Sequence, residues 1–128
     1  MSTITYIGMD VHTTNYTLCC YSVKDDRSFA QIQVKPEYTE ILIYLDRIKK
    51  QRGSDTRFIC GYEAGCLGYS LYHQLTNHGV ECVIMAPTTM PVASGKRVKT
   101  DRKDAENISR CLAYHLYKPV HIPTDEDD

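Results

Sequence analysis

Four carboxylates pose the chemical question: Asp10, Glu63, Asp101 and Asp104. Asp10 closes the first β-rich run, and Glu63 closes a later one, RFICGY. In open α/β sheets, sites gather outside the carboxyl ends of strands. If these two strands are parallel neighbours, their acids emerge side by side. Asp101 and Asp104 are three apart, hence on one face of a helix. That face continues through Ala105, Ile108, Leu112 and His115. The two acids therefore occupy the first turn of the stripe that should pack onto a sheet, whereas a helix needing only solubility puts its acids on the opposite side.

Four carboxylates brought together without partners repel one another and lose solvation. Hard divalent cations remove the conflict. Mg²⁺ takes oxygen ligands and keeps several of its waters. Two such ions about 3.5–4 Å apart can clamp the attacking and leaving oxygens of a phosphodiester. The neighbouring cations Lys96, Arg97, Lys99, Arg102 and Lys103 suit the backbone phosphates of a nucleic acid. Plainer readings stand beside these. Asp101 and Asp104 also favour the positive end of a helix dipole, and a run of cations is also what a solvated loop looks like.

The whole-chain charge points the other way. Lys and Arg number 15 against 16 Asp and Glu, a net charge of −1 in 128 residues. Located along the chain, the charges divide. Residues 95–104 carry five basic and two acidic groups, the last four residues are all acidic, and the remainder balances at ten against ten. The neutral total hides one basic segment and one acidic end.

The elements that must position these groups can be read from periodicity. Residues 3–9, 16–23 and 29–34 are β-rich runs joined by short polar segments, which predicts an antiparallel meander. Pro36 suits a first helical turn. Tyr38, Ile41, Leu42, Leu45 and Ile48 then follow at helical spacing until Gly53. A fourth strand spans 57–62. Leu67, Leu71 and Leu75 mark a second helix that stops at Asn77-His78-Gly79, and 80–86 form a fifth strand closed by Pro87. Residues 87–99 lack a clear period and read as a loop with a short helical piece. Thr100 can cap a third helix from Asp101 to about Tyr117. The order β-β-β-α-β-α-β-α predicts an α/β domain with a mixed sheet and helices on both faces, the element order of the ribonuclease H-like fold.

Composition bounds the class. Hydrophobic residues at 42% and charged residues at 24% fit one globular domain and not a disordered chain. No apolar run approaches the roughly 20 residues of a membrane span, and the first residues lack a secretory pattern, so a cytoplasmic protein without a membrane partner is expected. Cys19, Cys20, Cys60, Cys66, Cys82 and Cys111 form no C-x-x-C pair and read as buried free thiols of a reducing compartment. They combine with His12, His73, His78, His115 and His121 at no zinc-ligand spacing. His73 and His78 read as helix-end residues and His115 as a helix residue. His12 reads as a turn residue near enough to Asp10 to touch a substrate. Gly95-Lys96 is no phosphate loop, because Met90 stands at the first glycine position and Arg97 at the Ser/Thr position.

The segments YIGMDVHTTNYTL, GYEAG and SGKRVKTDRKDAENISR, with PVHIPTDEDD after them, resemble the DEDD transposases of bacterial insertion sequences. The likeness is to the insertion-sequence one-ten type, which includes the related Piv-type DNA invertases. It runs along nearly the whole chain. It implies a RuvC-like, ribonuclease H-like domain over residues 1–118 whose four acids are Asp10, Glu63, Asp101 and Asp104. They would bind two Mg²⁺ ions, with Mn²⁺ able to substitute, and act on DNA. Asp10 would bridge the ions, Glu63 would hold one, and Asp101 and Asp104 would hold the other or share it through water. The resemblance also implies a homo-oligomer in the full-length protein and, in some members, a structured guide RNA.

Such transposases continue past a segment like PTDEDD into a helical region and a second domain bearing an attacking serine. Residues 119–128 are therefore expected to be an acidic tail leading toward a further region. Ser70, Ser94 and Ser109 lack the matching context, and none is assigned as a nucleophile. The alternatives are a non-catalytic nucleic-acid-binding or assembly module and a stand-alone RuvC-like nuclease. A sugar-kinase or actin-like ATPase, faintly suggested by Gly8-Met9-Asp10 and Thr13-Thr14, is set aside because it needs a second lobe.

Overall fold

A computed structural model of the chain describes residues 4–53, 55–64, 69–86 and 105–120. Its elements follow the expected order: β1 (Ile4–Val11), β2 (Tyr16–Ser22), β3 (Arg27–Val34), α1 (Tyr38–Arg52), β4 (Arg57–Glu63), α2 (Ser70–Asn77), β5 (Glu81–Met85) and α3 (Ala105–Ala113). The five strands form one sheet in the order β3-β2-β1-β4-β5. The meander is antiparallel, as expected from its short polar turns. β4 and β5 join it in parallel, and β5 is reached through the α2 crossover that a parallel pair requires.

Side-chain alternation divides the residues between two faces. On one, Ile7, Met9, Leu18, Cys20, Cys60, Tyr62 and Ile84 pack under Ile41, Tyr44 and Ile48 of α1 and Leu71 and Leu75 of α2. On the other, Met85, Ile108 and Leu112 gather with Tyr6, Ile59 and Val83 beneath α3. Helices thus lie on both faces.

The helix ends show which local signals were sufficient. Gly53 ends α1 at φ 121°. Pro36 lies just ahead of this helix and not in its first turn, since Glu37 is the N-cap. Gly79 ends α2 at φ 81°, with Val80 N–H donating to Leu75 O and Gly79 N–H to Thr76 O. α3 stops at Ala113, four residues before the expected end. His115 takes φ 56°, its N–H donates to Leu112 O, and Leu116 N–H donates to Cys111 O. This is the hydrogen-bond pattern of a Schellman terminus, built without glycine. His115 is accordingly a helix stop, and it carries little local signal because any residue other than glycine takes the left-handed region only occasionally, histidine somewhat more often than most.

Two further departures concern the sheet. β1 runs one residue past Asp10, because Val11 still pairs with Tyr16. β3 carries a bulge: Leu18 faces Ile32 but Cys20 faces Phe29, and Ala30 between them adopts φ 58°. The Tyr44 hydroxyl donates to the Ala30 carbonyl at 2.9 Å, so α1 holds the bulge in place. After α3 the chain returns along β5. Ala86 N–H donates to Lys118 O and Val120 N–H to Ile84 O, around a Met85–Pro119 bridge, which covers that edge of the sheet. The expected capping by Thr100, the first turn of α3 from Asp101, Leu67 and the loop 87–99 lie outside the described residues. No helix among the described residues is long and apolar enough to cross a membrane.

Cys19, Cys20, Cys60, Cys82 and Cys111 form no disulfide among the described residues, in line with the thiol reading, while Cys66 is outside the described residues. Burial pushes the Cys20 thiol up to about 12, partly offset by its hydrogen bond with Tyr44. Burial pushes Cys82 to about 12 and holds Cys60 well above the usual thiol range. The thiolate is the reactive species. In native protein at pH 8, Cys20, Cys60 and Cys82 should resist an aromatic disulfide reagent and react only after denaturant is added. Peptide mapping of the labelled sites checks this, and prompt native labelling of Cys60 would contradict the packing.

Candidate functional site

The site is organised by two glycines. Gly8 and Gly61 are direct partners in the parallel β1–β4 pair, and both face α3. A Cβ on Gly8 would run into the Ala105 carbonyl oxygen and the Ser109 backbone, with Ser109 Cα 2.9 Å away. A Cβ on Gly61 would meet the Leu112 methyl groups at 3.0 and 3.1 Å. The helix backbone therefore lies directly against β1, an approach only glycine permits. On α3 the facing residues are small: Ala105 and Ser109 are fully buried, and the Ser109 hydroxyl is used up in donating to Glu106 O at 2.7 Å.

Side chains two apart on a strand share a face. Asp10 follows Gly8 by two and Glu63 follows Gly61 by two, so both acids stand on the α3 face, one register step beyond the Met9–Tyr62 pair. This is the side-by-side arrangement expected of strand-end acids on parallel neighbours. The Asp10 side chain is 31% exposed and pairs with His12, whose Nε2 lies 3.1 Å from Oδ1. His12 is held in the β1–β2 turn by its N–H, which donates to Asn15 O. Glu63 lines a small cleft of about 20 Å³ with Met85, Ala86, Asn107, Ile108 and Leu116. Asn107 beside Glu63 was not singled out from the sequence. It lies off the apolar stripe that drew attention to this helix, and only the helix placement brings it there.

Asp104 is joined to Ala105 by one peptide bond, and Ala105 is the residue that meets Gly8. Asp101, Asp104, Lys96, Arg97, Lys99, Arg102 and Lys103 themselves lie outside the described residues. Among the described residues no group of three or more His, Cys, Asp or Glu is placed to hold a metal ion. The zinc possibility gains nothing from the described histidines. His78 Nδ1 is 2.9 Å from Gln74 O, and the His73 ring packs edge-on against Tyr72.

The donors fit a hard cation. Asp10 and Glu63 present carboxylate oxygens on one face, and Mg²⁺ and Mn²⁺ prefer oxygen ligands. Cys20, Cys60 and Cys82 belong to the opposite face with Ile7 and Tyr62, while Cys111 lines the Glu63 cleft.

A mixed sheet of order β3-β2-β1-β4-β5, with an antiparallel meander and acids at the carboxyl ends of its two central parallel strands, defines a ribonuclease H-like domain. Residues 7–127 match a family model described as Transposase, of the DEDD IS110 type, and the chain belongs to that family. It is similar to the transposase for insertion sequence element IS1533 of Leptospira borgpetersenii, 28% identical over 124 residues that cover 96% of this chain and 35% of the relative. It is also similar to the putative transposase y4qE of Sinorhizobium fredii (strain NBRC 101917 / NGR234), 44% identical over 66 residues, 52% of this chain and 17% of the relative. The chain thus spans about a third of the first relative's length and about a sixth of the second's.

The glycine contacts make a graded prediction. Gly8→Ala forces helix backbone away from the strand and should lower unfolding stability by about 3 kcal/mol, the upper end for overpacking. Gly61→Ala meets the ends of flexible side chains and should lower it by about 1 kcal/mol. Urea unfolding measures both, and equal losses would remove the close helix approach as the cause.

Proposed function

We propose that this chain is the metal-dependent catalytic domain of an insertion-sequence transposase and acts on the phosphodiester backbone of DNA. The observation that carries the reading is the pairing of Asp10 and Glu63 at adjacent register on the face that α3 crosses. Chain connectivity supports adding Asp104, next to Ala105, and Asp101, three residues earlier. Together these four acids would hold two Mg²⁺ ions, or Mn²⁺ in their place. When bound, the ions supply Lewis acidity toward the scissile phosphate and stabilise charge on the leaving oxygen.

The chain's own groups do the positioning. Asp10, on a central strand, is the acid with neighbours on both sides and is suited to the shared ligand position. His12 donates to the Asp10 carboxylate and fixes its orientation. Gly8 lets the start of α3 close against β1, and the acids ahead of it in the chain would reach the same strand end. Lys96, Arg97, Lys99, Arg102 and Lys103 would follow the DNA backbone, giving contact that depends on salt and little on sequence. Strand exchange, a serine nucleophile, oligomer formation and any guide RNA would belong to a longer protein in this proposal. Its work on DNA would place it in the cytoplasm. Residues 1–118 form the catalytic unit in this reading, and 119–128 lead out of it.

Two measurements test this. Millimolar Mg²⁺ or Mn²⁺ should raise the thermal midpoint of the unmodified chain by a few degrees, the size expected when ligand exceeds its Kd roughly tenfold. The shift should shrink in Asp10→Asn and in Asp104→Asn, and its absence in the unmodified chain removes the metal site. For the basic segment, replacing Lys96 and Arg97 by Ala should lower the slope of log K against log salt for duplex DNA by about two, near 0.9 per lost phosphate contact. An unchanged slope takes those residues out of the interface.

A further inference from the structure

The two flanks of α3 carry different polar groups. Toward the β2–β3 hairpin, Glu106 accepts from Ser28 and from Arg110, and the Arg110 guanidinium lies over the Tyr21 ring at 5.8 Å. The charges of that flank are matched within it. The other flank looks toward β4 and β5. There Asn107 and Cys111, four apart and hence on one side of the helix, share a cleft with Glu63. Its other walls are mostly apolar, Met85, Ile108 and Leu116 among them.

The size of this cleft limits what it can take. Its volume of about 20 Å³ holds one water-sized group, since a water needs at least about 10–15 Å³ of such space together with two or more polar partners. Glu63 and Asn107 supply those partners. Spacing along the chain points the same way. Asp101, Asp104 and Asn107 follow one another in steps of three, so the series of oxygen-bearing side chains continues past the two acids into α3.

The chemistry of the groups narrows the role. Mg²⁺ bound by carboxylates keeps several of its waters, and a water on a divalent cation is polarised and donates strongly. The Asn107 amide oxygen accepts such a donor and adds no charge to a site where carboxylates already repel one another. The Cys111 sulfur is a weak acceptor and a soft one, so the amide is the group on this flank that suits a hydrated hard cation.

We propose that Asn107 is a positioning residue for the cation held at Glu63: its side-chain oxygen accepts from one water of the ion's shell, in the cleft the two residues share. The inference rests on the metal site proposed above and adds to it a group outside the four acids. Asn107 then stands to Glu63 much as His12 stands to Asp10, a neutral neighbour that fixes where the charged group and its ion sit.

The test is a Mn²⁺ titration of the intact chain at fixed pH and salt, with free Mn²⁺ followed by electron paramagnetic resonance and the thermal midpoint measured alongside. Asn107 is solvent-exposed, so its variants should keep the metal-free midpoint of the unmodified chain. Asn107→Leu, similar in size but without an acceptor, should raise the Kd for Mn²⁺ about tenfold, the lower end for loss of an outer-shell partner. Asn107→Asp keeps the oxygen and should bind at least as tightly as the unmodified chain. Arg110→Gln alters the net charge by the same amount from the opposite flank and should change Kd by less than about twofold, because salt screens distant exposed charges. A Kd that Asn107→Leu leaves unchanged overturns the inference and leaves the four-acid site standing. Equal weakening in Asn107→Leu and Asn107→Asp also overturns it, because a packing role would be lost in both. Absence of Mn²⁺ binding by the unmodified chain removes the metal site and this inference with it.

Discussion

The arrangement depends on one close contact, the backbone of α3 lying against β1 at Gly8. Helices usually pack on sheets through side chains of ordinary size, which hold the two backbones apart. Here the strand supplies no Cβ and the helix supplies Ala105 and Ser109. The closeness has a directional consequence. Ala105 is the first residue of α3, and Asp104 is attached to it. Pinning Ala105 over Gly8 sets the start of the helix at the strand position two residues short of Asp10. A bulkier residue at position 8 would lift the helix and change the separation between the groups it carries and the strand-end acids.

The two faces of the sheet divide the work. The α1 and α2 face holds most of the buried apolar side chains, from Ile7 and Leu18 to Ile41 and Leu75. The α3 face has a smaller cluster around Met85, Ile108 and Leu112. Placing two carboxylates at the end of the thinner layer keeps them near solvent, where ionised groups lose less hydration than in the main core. Polar contacts also fasten α3 near both of its ends. The Tyr21 hydroxyl lies 2.8 Å from that of Tyr114 and donates to Asp26 at 2.6 Å, and Ser28 donates to Glu106. α3 is thus held by close packing on β1 and by side-chain hydrogen bonds to the β2–β3 hairpin from Glu106 in its first turn and Tyr114 just past its end.

Much of this was legible in the residues. Alternation in 29–34, the apolar spacing of α1 and the glycines at 53 and 79 announce their elements because each is a local backbone or burial effect. The strand-end positions of Asp10 and Glu63 follow from run lengths. What was not legible involves groups far apart in sequence or a choice among conformations. His115 adopts a left-handed conformation that suits glycine better, so its stop signal is invisible locally. The Ala30 bulge exists because Tyr44, fourteen residues on, can take the exposed carbonyl. Asn107 acquires a place beside Glu63 only once the helix is docked.

By itself, then, the sequence determined the element order, the acid positions at strand ends and the concealed charge pattern behind a net charge of −1, because these depend on side-chain type and short-range periodicity. Tertiary structure decided that β1 and β4 are neighbours and parallel, and that Gly8 and Gly61 share a register. It also turned Asp10 and Glu63 toward the same helix. Those outcomes depend on strand pairing across more than fifty residues, where a slip of one position would send an acid to the opposite face.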